Sequence, residues 1–444
     1  MKILKFGGTS VGSVEGLQQI PNIISNIKGT KILVCSAMSG ITDILLNLAK
    51  QTKNYNEIAI HSYMCVLRDR HYTMIDELFS EEKRNKDIKN VIEQLLDELL
   101  IISKKEYSED VECEIITYGE RLLTKMYAAY LTSIGVKNVL LDAREFMLVD
   151  EIEAPEVSLI AERLLPILDK SKDVNVYLTQ GFIRVTSSDA LRHLHRGGSD
   201  YSATLIGAAL AVDEVQIWSD VDGFHNCDPR VVKNTFSIPY LSYDEAAELS
   251  YFGAKILHPQ TVYPAKKLKI PLVLKDTFQV AAKGTTISNE TPFLGRKAMS
   301  IKNDLMNLRL TFISKNDSEE IIHKIHTEFQ KNNIVTYFSV ETDDYVEVTV
   351  LQEIQVYKVL DALEKLVRVD FTKDLSIICI VGYYMDYNND KELMEEIKRL
   401  SVSKLFTHSD ILSTRILINS KNQKEILDYL NCRLFIEKIG VQSP

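Results

Sequence analysis

Over residues 1–290 the chain alternates short apolar runs with helical stretches, and this order restricts its fold more than any other feature. The runs Lys2–Phe6, Lys31–Ser36, Asn138–Asp142, Asn175–Thr179, Val215–Trp218 and Pro271–Leu274 are short and β-branched. They alternate poorly between apolar and polar, as strands buried on both faces do. Such strands separated by helices predict an α/β fold around a largely parallel sheet. Residues 43–112 interrupt the alternation and read as almost entirely helical. Ile88, Val91, Ile92, Leu95, Leu96 and Leu99 recur at helical spacing with charges opposite, so a helical subdomain is expected there, as core or interface.

The texture changes after a connector at 283–306, marked by the turn signals Lys283-Gly284-Thr285 and Thr291-Pro292. Leu308–Ile313 reads as a strand, and Asp317 and Ser318 as caps for a helix carrying Ile321, Ile322, Ile325 and Phe329. Val335–Val340 and Tyr345–Leu351 read as strands, Tyr357–Leu366 as a helix and Val367–Phe371 as a strand. The same β-α-β-β-α-β order recurs over Leu375–Val381, Lys391–Leu400, Leu405–His408, Arg415–Ile418 and Lys424–Leu430. An internal repeat of about 70 residues follows, with two ferredoxin-like modules as the natural reading.

Bulk properties exclude several classes. The net charge of −10 argues against a general nucleic-acid binder, which needs a basic face. No two of Cys35, Cys65, Cys113, Cys227, Cys379 and Cys432 form a CxxC pair, so a metal knuckle is not expected. Cysteine used as a small hydrophobe, with no signal-peptide run and no membrane span, predicts a reduced, cytoplasmic protein.

The chemistry concentrates in loops, most of them just after predicted strands. Lys5-Phe6-Gly7-Gly8-Thr9-Ser10 offers two glycines that admit an anion to the backbone, two hydroxyls and a cation. It matches neither GxxxxGK[ST] nor GxGxxG, and alone it is an ordinary strand–turn–helix. Ser36-Ala37-Met38-Ser39-Gly40-Ile41-Thr42, Thr117-Tyr118-Gly119-Glu120-Arg121 and Arg196-Gly197-Gly198-Ser199-Asp200-Tyr201-Ser202 share its character. So do Trp218-Ser219-Asp220-Val221-Asp222-Gly223, with Asp228-Pro229-Arg230 after it, and Phe252-Gly253-Ala254-Lys255-Ile256-Leu257-His258-Pro259. Ligand sites in open α/β sheets lie off the strand carboxyl ends, where these loops would gather.

These motifs, together with Gln180-Gly181-Phe182-Ile183, stand in the order found in aspartate kinases of the amino-acid-kinase superfamily, which the chain resembles along nearly its whole length. The resemblance implies a three-layer α/β/α kinase domain over 1–290, with the helical subdomain at 43–112, followed by two βαββαβ modules of the ACT type. Residues 291–306 would be a connector with a possible first strand of the second module, near Met299–Lys302. Residues 307–372 would be the first module and 373–444 the second. The implied activity is ATP-dependent phosphorylation of the L-aspartate side-chain carboxylate, the first step towards lysine, threonine and methionine.

Roles carry over by position. Lys5 and Asp200 correspond to catalytic residues, and Lys5, Gly7, Gly8, Thr9 and Ser10 to the phosphate site. Ser36, Thr42, Glu120, Phe182, Arg196, Ser199 and Asp200 correspond to the aspartate pocket, and Ser219, Asp220, His225, Arg230 and Lys255 to the ATP site. No protein metal site is implied, because Mg²⁺ would ride mainly on the nucleotide phosphates. An aspartate side chain arrives ionised at neutral pH, so positioning and cationic stabilisation are required rather than a base. Lysine or threonine is the effector type such modules take, and a homodimer or larger assembly would form through them.

The sequence also departs from the family pattern. Arg184 and His195 replace small residues, and Leu191-Arg192-His193-Leu194 replaces a Thr-Thr-Leu run. The regulatory loops at Asn316-Asp317-Ser318, Val340-Glu341-Thr342 and Tyr383-Tyr384 differ as well, which predicts a reduced or altered effector response. Two other readings are a kinase for another acidic amino acid and a catalytically degenerate amino-acid sensor.

Overall fold

Strands buried on both faces must lie inside a sheet, and β1 (Lys2–Phe6) does so, pairing in parallel on each side. The computed structural model describes the chain apart from residues 172, 196, 255, 293–294, 315–316, 383–390, 400–403 and 437–444. Two compact units divide it. One comprises Met1–Phe224, Ser237–Ala247 and Lys255–Phe293; the other comprises His225–Phe236, Glu248–Ala254 and Leu294–Pro444.

In the first unit, β2 (Lys31–Cys35), β3 (Val139–Leu141) and β4 (Val176–Gln180) lie on one side of β1. After the small hairpin β5 (Ile183–Val185) and β6 (Leu191–His193), the chain returns as β7 (Glu214–Ser219) on the other side of β1. β8 (Tyr240–Ser242), β9 (Leu272–Asp276) and β10 (Thr285–Ser288) complete an eight-stranded sheet of order β3-β4-β2-β1-β7-β9-β10-β8. Only the β9–β10 pairing is antiparallel. The strand order reverses between β1 and β7, which opens a crevice beyond their carboxyl ends.

Side chains alternate across this sheet. Leu4, Phe6, Leu33, Cys35 and Leu178 join a core with Leu17, Leu48, Leu122 and Met126 from helices on one face. Ile3 and Val215 meet Gly207 of helix Gly198–Ala209 on the other face. This is the three-layer arrangement. The expected helical subdomain is Ile41–Lys53, Glu57–Leu78, Glu82–Ile102 and Glu109–Ile116. Ile88, Ile92, Leu96 and Leu99 are buried as expected, whereas Val91, on the flank of that stripe, is 37 % exposed.

The second unit is built on one antiparallel sheet. Its strands are β11 (Ala298–Phe312), β12 (Thr336–Glu341), β13 (Tyr345–Leu351), β14 (Val367–Val381), β15 (Lys404–Ser409) and β16 (Ser413–Asn419), in the order β12-β13-β11-β14-β16-β15. The strands expected separately at Val367–Phe371 and Leu375–Val381 are one continuous strand. Its first half pairs with Leu305–Phe312 and its second half with Ala298–Lys302. Asp304 and Asp374, both at positive φ, mark the change of register. The two βαββαβ sets therefore interleave. Ala298–Lys302, ahead of the rest of the second set in the chain, lies beside the second half of β14, where a βαββαβ set has its fourth strand. Asp317 precedes helix Ser318–Lys331 without capping it by a side-chain hydrogen bond; its carboxylate accepts instead from Ser314 Oγ at 2.8 Å. Tyr383 and Tyr384 lie outside the described residues, as does Asn316. Among the described residues no helix is long and apolar enough to cross a membrane.

Candidate active site

β1 ends beneath the crevice, and its register places Lys5 one residue from the turn. The Lys5 side chain is nearly buried, and Nζ lies 2.5 Å from Asp200 Oδ1. A buried ammonium needs such a partner, because desolvation otherwise favours its neutral form. Asp200 comes from the first turn of helix Gly198–Ala209, which starts directly after Gly197 at φ +77.

Each of the two glycines after Lys5 has a steric reason. A Cβ on Gly7 would come 3.3 Å from Lys5 Nζ, and one on Gly8 would come 3.0 Å from the Ala37 carbonyl. The Gly7 N–H donates to Trp218 O at 3.0 Å and Ser39 N–H donates to Gly8 O at 3.1 Å, so the loops after β1, β2 and β7 are tied together. Helix Gly8–Val11 follows, and the amides of its first turn precede any intrahelical acceptor. Thr9 Oγ1 donates to Asp220 Oδ1 at 3.3 Å.

The Ser10 hydroxyl is fully buried, 2.7 Å from Thr277 Oγ1 and 3.3 Å from Trp218 O, so it braces the loop. Thr277, which the sequence did not single out, completes that brace, and its N–H donates to Ser219 O at 2.8 Å.

Ser36 is half-buried on the loop after β2 and Thr42 half-buried in the first turn of helix Ile41–Lys53, with Ser36 N–H donating to Phe6 O at 3.2 Å. Glu120 sits in the first turn of helix Tyr118–Ser133 and is only 3 % exposed. Its Oε1 accepts from Ala37 N–H at 3.1 Å, while Oε2 has no hydrogen-bond partner. Burial pushes its pKa up to about 8, against the pull of the Ala37 amide and the Lys5 charge. A buried carboxyl with an unused oxygen beside a lysine is an incomplete polar group, suited to a cationic ligand. Ser199 is nearly buried and lies against the turn after β4, where a Cβ on Gly181 would come 2.5 Å from its own Cβ. Phe182 adopts φ +68, and its N–H donates to Ser202 Oγ at 2.9 Å.

The nucleotide candidates are spread more widely. Ser219 ends β7, half-buried, and its Oγ accepts from Val221 N–H at 3.4 Å; Asp220 is exposed beside Thr9. His225 and Arg230 belong to the second unit. There His225 Nδ1 lies 3.0 Å from Thr235 Oγ1, and Arg230 is 70 % exposed with a two-point pairing to Asp228 at 2.9 and 2.7 Å. Arg196 and Lys255 lie outside the described residues. Among the described residues, no three His, Cys, Asp or Glu side chains converge into a metal cage.

The amino acid kinase family model matches residues 1–276. Aspartokinase 1 of Arabidopsis thaliana, a chloroplastic protein, is 30 % identical over 405 residues, covering 86 % of this chain and 70 % of its own. Lysine-sensitive aspartokinase 3 of Escherichia coli is 25 % identical over 455 residues, covering 98 % of this chain and 99 % of its own. The structure of E. coli aspartokinase III in complex with aspartate and ADP shares the fold, with a TM-score of 0.85 at 24 % identity over 98 % of this chain and 100 % of that one. Its complex with lysine and aspartate gives a TM-score of 0.81 at 25 % identity, over 98 % and 99 % of the two chains. The chain belongs to the aspartokinases, within the amino acid kinase family.

Proposed function

We propose that the chain transfers the γ-phosphoryl group of ATP to the side-chain carboxylate of L-aspartate, giving 4-phospho-L-aspartate and ADP. One observation carries the reading: a buried Lys5 ammonium, fixed 2.5 Å from Asp200, stands at the end of β1 beside a loop stripped of side chains by Gly7 and Gly8. Named aspartokinases support the substrate, and one relative's structure holds aspartate and ADP.

The chemistry is displacement at phosphorus by an oxygen that is already anionic. A carboxylate oxygen bonds to the γ-phosphorus, the bond to the β,γ-bridging oxygen breaks, and no proton has to be removed. The obstacle is repulsion between two anions. Lys5 offsets it at the transferring group, and the first-turn amides of helix Gly8–Val11 add fixed dipoles. Asp200 orients Lys5. The unused oxygen of Glu120 receives the α-ammonium of aspartate, and Arg196 grips the α-carboxylate. Ser36, Thr42, Phe182 and Ser199 complete this pocket. Magnesium carried on the nucleotide phosphates would neutralise further charge, and Asp220, on the loop after β7 beside Thr9, belongs with the nucleotide residues. Ser219 and Lys255 serve the nucleotide.

The second unit is the seat of an amino-acid effector, lysine or threonine, and of pairing between two copies of the chain. Its sheet ends on β12 and β15, the two strands with a single sheet neighbour. The departures in its loops favour a reduced or altered response to lysine. Coupled ADP-release assays with aspartate, glutamate and N-acetylglutamate test the substrate assignment. Turnover on aspartate alone is expected, and equal turnover on glutamate would overturn it.

A further inference from the structure

The hairpin β5–β6 carries the run Leu191-Arg192-His193-Leu194, which none of the roles above uses. Its histidine ring lies flat on Phe182, with centroids 4.8 Å apart and planes inclined by 13°. Phe182 is in the left-handed region at φ +68, which an aromatic residue keeps only where its surroundings hold it. The hold is visible on several sides. Ser202 Oγ accepts from the Phe182 N–H at 2.9 Å, and the Phe182 carbonyl accepts from Leu194 N–H at 2.7 Å. The ring edge abuts Gly198, where a Cβ would come 2.7 Å from Phe182 Cδ2. Gly198 opens the helix that carries Ser199 and Asp200. The hairpin is itself anchored, since Arg192 Nη1 reaches Asp110 Oδ1 at 2.6 Å and Arg184 Nη1 donates to Val149 O at 2.6 Å.

We propose that His193 is a positioning residue for the substrate pocket: its imidazole stacks on Phe182 and holds that ring, and the turn bearing it, in the shape that receives aspartate. The inference rests on the assignment of Phe182 to the aspartate pocket. It gives the unusual hairpin a task, which is to carry a flat side chain to Phe182 from an anchored ribbon. Nothing in this role requires His193 to touch a reacting atom.

Steady-state kinetics on the full chain test it, with the aspartate KM, ATP KM, kcat and melting temperature measured for wild type, His193→Ala, His193→Phe and Phe182→Ala. Loss of one stacked ring should raise the aspartate KM of His193→Ala about fivefold, with ATP KM and kcat within about twofold. His193→Phe, which restores a flat ring, should return the aspartate KM to within about twofold of wild type. A residue that only stabilised the hairpin would lower the melting temperature without this split or this rescue. If His193→Ala does not fold, His193→Leu, which keeps bulk but loses the plane, is read with the same outcomes. An unchanged aspartate KM in the ring-less variant, or no rescue by Phe, overturns the proposal while leaving the pocket intact, provided Phe182→Ala does raise that KM. A Phe182→Ala variant with unchanged aspartate KM overturns the pocket assignment and the proposal with it.

Discussion

Glu120 shows how much a single residue's chemistry depends on where the fold puts it. Its carboxyl, pushed up to about 8 by burial, is largely protonated in the ligand-free chain at neutral pH. Only the carboxylate pairs with the α-ammonium of aspartate, so binding must expel a proton below about pH 8. The aspartate KM should therefore fall several-fold as pH rises from 6.5 to 8, and Glu120→Gln should raise it and flatten the profile. Measuring that KM against pH in both proteins checks this, and an equal slope in the variant would refute the assignment. Lys5 was legible in the sequence because a strand end, a lysine and two glycines are contiguous. The bracing task of the Ser10 hydroxyl was not legible, because the groups that occupy it, Trp218 O and Thr277 Oγ1, lie more than 200 residues away. Its type and position within the loop carried no sign of them.

Helix Glu57–Leu78 carries a buried titratable group with no catalytic part. His71 is fully buried, its Nδ1 is 2.7 Å from Leu67 O, and burial lowers its pKa to about 4 from an ordinary 6.5. Between those values the unfolded chain holds a proton that the folded chain lacks, so stability falls as pH drops through that window. The loss should reach on the order of 3 kcal/mol by pH 4. His71→Leu should flatten the dependence, read as urea midpoints at pH 7, 5.5 and 4.5; parallel curves for both proteins would remove His71 as the cause. Among the elements, the six expected kinase strands appeared, and four of them, β1, β2, β4 and β7, hold four or more buried residues in a row, which leaves a pattern. β5, β6, β8 and β10 are three or four residues long without a run of buried residues, and were not foreseen.

For the whole molecule, the repeat was readable but the continuity of its strands was not. Equal β-α-β-β-α-β orders announce two modules, yet nothing local shows that Ala298–Lys302 pairs with Ile377–Val381. That register depends on a partner some 75 residues away, and it merges two expected strands into β14. Cutting the chain after residue 372, between the modules as read in sequence, would halve β14 and strip Met299 of its neighbours Ile378 and Ile380. The shortened chain should lose its cooperative melt and aggregate; a soluble chain with an unchanged melt would contradict the interleaved sheet. The central claim concerns the ammonium at the end of β1, and hydroxylamine trapping of the acyl phosphate reads it directly. Wild type should form aspartyl hydroxamate from ATP and aspartate, and Lys5→Ala, shown folded by circular dichroism, should lose at least about 100-fold in kcat. A folded Lys5→Ala protein whose turnover stays within about tenfold of wild type would contradict the account.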